Sequence, residues 1–296
     1  MKLRFTLYFF ICSFFPLVLV GQDTTKITTE KADEDFSYFL ADVSYINDYV
    51  FMGRRDSVAA PYLFPSIGYY DKSGFFADAS LSFLTGSENS GVDLILLSAG
   101  YNFNSNKISG GISGTAYFFS EESNNVMSSV SANLTGIVGY DFGLLETTLS
   151  LGTYFNDGSS TDFIAGFMLN RNLYAINNNL LINPTITLYA GTQYFYEQYY
   201  SNSRLGNRKG KGMGNTGSGA IDSNMANIDE VQKFNVLNIE LEIPLQYHYK
   251  HFIFSFNPML ALPQSSSTIF YEDTFITEDL TPVFYWTAGI SYWFIP

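Results

Sequence analysis

One cysteine occurs in the 296 residues, Cys12, and it stands inside an N-terminal apolar run. That run, Phe5 to Val20 behind Lys2 and Arg4 in "MKLRFTLYFFICSFFPLVLVGQ", has the charged start and apolar core of a secretory signal peptide. Gly21 suits the last position before the cut, although Leu19 is a poor match two residues earlier, so cleavage is expected before Gln22. An uncleaved anchor is the rival reading, because the run is nearly long enough to span a bilayer. Its place at the extreme N-terminus favours the leader. Cys12 also lies too early for a lipid-modified cysteine, and a mature chain without cysteine excludes disulfides and thiolate metal sites.

Basic residues are scarce. Of 15 Lys and Arg, Lys2 and Arg4 leave with the leader, and the remaining 13 face 28 acidic residues, a net charge of −15. Nucleic acid is excluded as a partner, since phosphate contacts need clustered bases. Long hydrophobic runs are missing too: no second one follows the leader, and mean hydropathy is only +0.04. Yet aromatics make up 18% of the chain, with 28 Phe and 22 Tyr. Abundant aromatics without apolar runs fit strands whose faces alternate between lipid and lumen.

Alternation is indeed what the chain shows. "VFYWTAGISYWF" (283–294) puts Phe284, Trp286, Ala288, Ile290, Tyr292 and Phe294 on one face. "KFNVLNIELEIPLQYHYK" places Leu237, Ile239, Leu241, Ile243 and Leu245 against Asn238, Glu240, Glu242 and Gln246. "NVMSSVSANLTGIVGY" sets Val126, Val130, Ala132, Leu134 and Val138 against Ser129, Ser131, Asn133 and Thr135. "GLLETTLSLGTYF" and "HFIFSFNP" repeat the pattern, and none of it fits a 3.6-residue period.

Twelve strands are predicted, near 40–51, 62–71, 75–84, 93–103, 107–119, 126–140, 143–155, 162–171, 180–196, 233–249, 251–262 and 282–294. Short turns ("DKSG", "NSNK", "YDFG", "NNN", "YKHF") alternate with longer polar connections, the longest spanning 197–232. A soluble β-sandwich would alternate as well, but has no reason to sort its connections into two length classes. The fold class expected is all-β: a transmembrane, antiparallel, up-and-down barrel of about 12 strands (10–14). The expected organisation is a signal peptide at 1–21, a short periplasmic segment at 22–39 and a barrel at 40–294. An even strand count places both termini in the periplasm of a bacterial outer membrane.

The ending resembles the C-terminal assembly signal of outer-membrane barrels, carried here by Trp286, Ile290, Tyr292 and Phe294, although Ile295 and Pro296 follow the usual terminal aromatic. That resemblance implies the barrel-assembly machinery as a partner. "SYINDYVFMGRRDS" followed by "SIGYYDKSGFF" resembles the opening strands of TorF-type porins, with Met52 where those carry Arg before the Gly. It covers about a third of the mature chain and implies a barrel more than an activity.

Chemistry-bearing constellations are few. His248 and His251 are the two histidines, both at one short turn, where a hydrolytic Ser–His pair reaching outer-leaflet lipid has no place. An interfacial role suits them better, and no enzyme activity, metal or cofactor is expected. "GMGNTG" (212–217) matches a dinucleotide fingerprint without its strand and helix context, so it reads as a loop. Arg204, Arg208, Lys209 and Lys211 in the same loop could touch lipopolysaccharide, or could simply be solvated. "NDGSSTD" could offer Asp157 and Asp162 to Ca²⁺ but lacks dense ligand spacing.

The inward face carries Asp48, Asp78, Glu146, Asp162, Glu240 and Glu242 among many Ser and Gly. Small polar linings leave room for water, and acidic ones favour cations. A porin-like path for small solutes, weakly cation-selective, is the function expected. The alternatives are a barrel plugged through pairing of these carboxylates with Arg54 and Arg55, serving as a surface-binding or structural protein, and, further off, a lipid-modifying enzyme.

Overall fold

The computed structural model describes residues 36–55, 61–85, 91–120, 123, 125–157, 160–196, 227–228, 232–266, 268–271, 274–277 and 280–295. The signal peptide, the basic cluster Arg204, Arg208, Lys209 and Lys211, and the "GMGNTG" run lie outside the described residues.

Eight staves come first: β1 (Tyr38–Ile46), β2 (Tyr62–Tyr70), β3 (Phe75–Leu84), β4 (Gly91–Ser105), β5 (Ile108–Phe119), β6 (Val130–Asp141), β7 (Glu146–Asn156) and β8 (Thr161–Asn170). A short β9 (Leu173–Ala175) prolongs β8. The ninth stave is β10 (Leu180–Ile182) with β11 (Thr185–Gly191); a short β12 (Asn227–Ile228) follows outside the barrel. The tenth stave is β13 (Asn235–Glu242) with β14 (Leu245–Tyr249), and the eleventh is β15 (Phe252–Pro263). After β16 (Thr268–Tyr271) and β17 (Thr274–Thr277), β18 (Val283–Phe294) closes the ring. Each stave pairs antiparallel with its neighbour in sequence, and β18 pairs back onto β1 from Phe39↔Phe294 to Ile46↔Thr287. The result is a closed 12-stranded antiparallel barrel, with no open edge to aggregate. β12, β16 and β17 form a separate small sheet within the long connections.

Two staves break where a proline cannot donate to the ladder. Pro184 splits β10 from β11, and Pro244 splits β13 from β14. Their carbonyls still accept, from Arg171 N at 3.3 Å and Asn183 N at 2.9 Å, so the register carries across the breaks.

Short turns gather at the end that also holds Tyr38 and Phe294. Two residues suffice between Ser105 and Ile108 and between Tyr249 and Phe252. Asn106 (φ 57°) and Lys250 (φ 56°) take the left-handed conformation that such tight reversals demand.

The outward face is apolar. Val43, Ile67, Leu97, Ile112, Leu151 and Ile290 are all exposed there, which in water would be untenable. Aromatic girdles flank this band. Near the short turns, Phe39 stacks on Phe294 at 5.4 Å and meets Tyr69 at 5.0 Å, and Phe75 meets Tyr101 at 4.8 Å. Toward the long connections stand Phe118, Phe155, Phe163 and Phe284. On β18 the alternation holds throughout: Phe284, Ile290, Tyr292 and Phe294 face out, while Tyr285, Thr287, Ser291 and Trp293 are buried inside.

Two facing assignments are corrected. Val126 and Val130 are buried inside rather than lipid-facing, because β6 begins at Val130 and its register shifts between Val130 and Ala132. Leu237 also turns inward, because a register shift between Tyr189 and Ala190 of β11 reverses the alternation of β13 above Asn238.

Candidate functional site: the barrel interior

The strands' inward side chains form three zones along the axis. Toward the long connections lies a continuous apolar layer that includes Ile46, Tyr62, Phe64, Leu94, Leu96, Tyr117, Tyr154, Ile164, Tyr189, Leu237 and Tyr285. Among the described residues, three chain segments fold back into the barrel and complete it.

The first is 47–55, expected as the end of a strand. It instead makes a two-residue hairpin, with Phe51 N donating to Arg54 O at 2.7 Å and Arg54 N to Phe51 O at 2.9 Å. Met52 (φ 51°) and Gly53 (φ 79°) are both left-handed, the type I′ combination. A Cβ on Gly53 would stand 2.8 Å from Pro263 Cβ, so the hairpin tip is pressed against the wall. The second is 125–130, where Met127 N donates to Asn125 Oδ1 at 2.9 Å. The third is 192–196, helical from Tyr194 to Tyr196.

These segments grip one another. Tyr49 OH reaches Met127 Sδ at 2.9 Å, the Phe51 ring lies 4.8 Å from that of Phe195, and Ser129 Oγ donates to Phe195 O at 3.2 Å. Arg54 stacks its guanidinium 4.6 Å above Tyr196. Phe51, Phe195, Met127, Met52 and Val50 are at most 1% exposed. Burying each contributes roughly 1.5–3 kcal/mol before ordering costs, so this plug is a packed core and not a loose loop.

A carboxylate serves each segment, from within the first and from the wall for the other two. Arg55 Nη1 sits 2.5 Å from Asp48 Oδ2. Asp93 accepts from Tyr62 OH at 3.0 Å and Ser123 Oγ at 2.9 Å. Asp162, fully buried, accepts four bonds: Thr192 Oγ1, Tyr194 N and Phe195 N at 2.7 Å each, and Asn156 Nδ2 at 2.8 Å. The donors come from the chain itself, so this carboxylate is a latch for residues 192–195. Asp48 likewise belongs to an inserted segment and not to a strand.

Below the plug the wall is polar and small: Ser44, Ser80, Ser98, Ser113, Thr135 and Thr287. The glycines here are not all open water space, contrary to the sequence expectation. A Cβ on Gly100 would come within 2.6 Å of the Phe76 ring, and one on Gly152 within 2.8 Å of Tyr154. Aromatic rings lie over them. A second apolar cluster, Tyr38, Leu40, Tyr70, Phe76, Ile253 and Trp293, lines one sector near the short turns.

Asp78, Glu146 and Glu240 are buried on this lower wall, with Glu242 half-buried two residues from Glu240. Glu240 Oε2 accepts from Tyr285 OH at 2.9 Å and Asn238 Nδ2 at 3.3 Å; Glu242 Oε2 accepts from Asn257 Nδ2 at 2.9 Å. Sequence reasoning passed over Asp42, which accepts from Ser291 Oγ at 2.6 Å, and Asp93. The phase of Asp42 with Leu40 and Ser44 was the available signal; Asp93 sits beside a register shift at Ser82/Phe83 that hides its phase. None of the described strands contains Lys or Arg.

The His251 ring lies tilted 4.4 Å from that of Trp293, and its Nδ1 lies 3.3 Å from Trp293 O. His248 pairs in register with Ile253 at the same short-turn end. Among the described residues no group of three or more His, Cys, Asp or Glu is placed to hold a metal.

Neither a protein-family profile nor a curated protein sequence matches the chain. Solved structures similar to it are outer-membrane barrels. They include the NanC porin (12% identity, TM-score 0.47, 86% of this chain and 98% of that one). The KdgM porin (10%, TM-score 0.43, 86% and 98%) and LpxR from Salmonella typhimurium (9%, TM-score 0.42, 86% and 100%) are others. Likeness at that level adds nothing to what the chain's own strands establish: an antiparallel 12-stranded barrel built to cross a membrane.

Proposed function

We propose that the chain is a bacterial outer-membrane barrel of the porin type, with both termini periplasmic, that passes small solutes with a preference for cations and is held shut by its interior plug. The observation that carries this is the sign of the wall. The strands hold Asp42, Asp78, Glu146, Glu240 and Glu242 below the plug and no basic residue, so fixed charge favours cations wherever water enters. Outer-membrane lipid and lipopolysaccharide are its surroundings on this reading, and the TorF-type resemblance of the opening strands accords with it.

The test is a reversal potential across a KCl gradient, measured on a variant whose plug is loosened by Phe51→Ser. It should have the sign of cation preference, fade as salt shortens the screening length, and move toward zero in the Asp78→Asn/Glu240→Gln/Glu242→Gln background. Anion preference, or a potential indifferent to the three substitutions, would overturn it.

The second reading is a non-conducting barrel used for surface binding or structure. Its support is the continuity of the apolar layer through all three inserted segments. Silence of both the parent protein and the loosened variant would favour it. An enzymatic reading draws no support from the histidines: His251 packs on Trp293 and His248 pairs in register with Ile253, both at the short-turn end.

A further inference from the structure

We propose that the inner wall formed by β11, β13, β15 and β18 carries a binding site for a hard divalent cation, centred on Glu240 and Glu242. Residues two apart on a strand share a face, so these side chains stand next to each other inside the barrel. Glu240 is 1% exposed. Two carboxylates so placed are costly unless a positive charge meets them, and the neighbouring strands supply none.

The protein's own contribution is neutral. Tyr285 and Asn238 serve Glu240, and Asn257 serves Glu242, each by one hydrogen bond. Beside them, further polar atoms are sealed from water without a hydrogen bond in the chain. Thr187 Oγ1 belongs to the residue paired in register with Glu240, and Thr187 is 1% exposed. Tyr189, 3% exposed and paired in register with Asn238, brings its OH to the same wall as a second such atom. Asn257 Oδ1 is a third such atom. Its amide nitrogen already donates to Glu242, so the carbonyl oxygen can only accept. Unpartnered buried oxygens beside two carboxylates mark a place where a cation would satisfy groups that are otherwise unmet.

The donor set selects the ion. Every candidate ligand is oxygen, so a soft or borderline transition metal is disfavoured. Two carboxylates with hydroxyl and amide oxygens on separate strands suit the adaptable coordination of Ca²⁺ better than the strict octahedron of Mg²⁺. The site does not depend on transport, since a barrel that never conducts would bind the ion equally well.

The experiment is equilibrium dialysis of the full barrel, folded in detergent micelles, against CaCl₂, with its heat-denaturation midpoint followed alongside. One saturable ion per chain is expected, together with a raised midpoint. Both should be lost in Glu240→Gln/Glu242→Gln and retained in Asp78→Asn. Thr187→Val and Asn257→Leu, which keep both carboxylates, should weaken binding about tenfold and keep the test open should the double variant not fold. Absence of saturable binding would overturn the proposal. So would binding that survives the double substitution, or that is unmoved in both single variants, since either places the ion elsewhere.

Discussion

Alanine at position 162 would remove the acceptor for four bonds at once, three of which hold residues 192–195 inside the barrel. Each bond to a carboxylate contributes about 1.5–3 kcal/mol, and each buried donor left unmatched costs about 1–3 kcal/mol. The contributions are not additive, because the freed segment can swing toward water and rehydrate its N–H groups. A net loss of roughly 3–6 kcal/mol is therefore expected in the local stability of the plug. The staves keep their own hydrogen bonds, so the barrel should survive. Three readouts follow: earlier cleavage by protease near Phe195, channel openings in planar bilayers, and retained heat-modifiable migration on gels. Asp162→Asn keeps one acceptor oxygen and should lose about 1–3 kcal/mol, with correspondingly rarer openings. A variant Asp162→Ala that is as protease-resistant and as silent as the parent would refute the latch.

Other expectations concern the walls and the short-turn end. Ile290, 52% exposed in the apolar band, should not tolerate Arg: a folding-yield titration in lipid should show a cost of about 2–4 kcal/mol, and no cost would mean the outward face is misassigned. Gly100→Val places a Cβ 2.5 Å from Ile112 O and 2.6 Å from the Phe76 ring. Because backbone cannot yield as a side chain can, urea unfolding should show a loss of about 1–3 kcal/mol, and an unchanged midpoint would show that the ring moves freely. Asp71, in the turn after β2, accepts bonds from Ser73, Ser37 and Tyr69 that hold its carboxyl below the ordinary range. A depressed carboxyl contributes stability that is complete above its unfolded value and lost as pH falls through the folded one. The parent should thus lose stability on acidification below about pH 4, and Asp71→Asn should lose less; identical pH profiles would count against that role.

The barrel was legible because lipid on one side and a lumen on the other impose a period of two on every stave. β7, β15 and β18 show it residue by residue, and the alternation of short and long connections told which ends belong together. The plug was not legible, because a loop that folds inward obeys no period. "YVFM" (49–52), four apolar residues in a row where alternation should continue, was the one local sign that the chain had left the wall. For Asp48 and Asp162 the strand phase pointed inward, yet their roles depend on loop donors that come from the chain's own turns and from as far as Phe195. Val130 and Leu237 were misassigned because a register shift reverses a face and leaves no mark on composition.

Single-channel recordings of the folded barrel beside its Phe51→Ser variant in planar bilayers test the plug most directly. Phe51 is fully buried between Tyr154 and Phe195, so its loss should open the interior without touching a strand. The parent should be silent or open rarely, and the variant should show frequent, cation-preferring steps. A parent that conducts steadily from the start, at a level the substitution does not change, would contradict the plug.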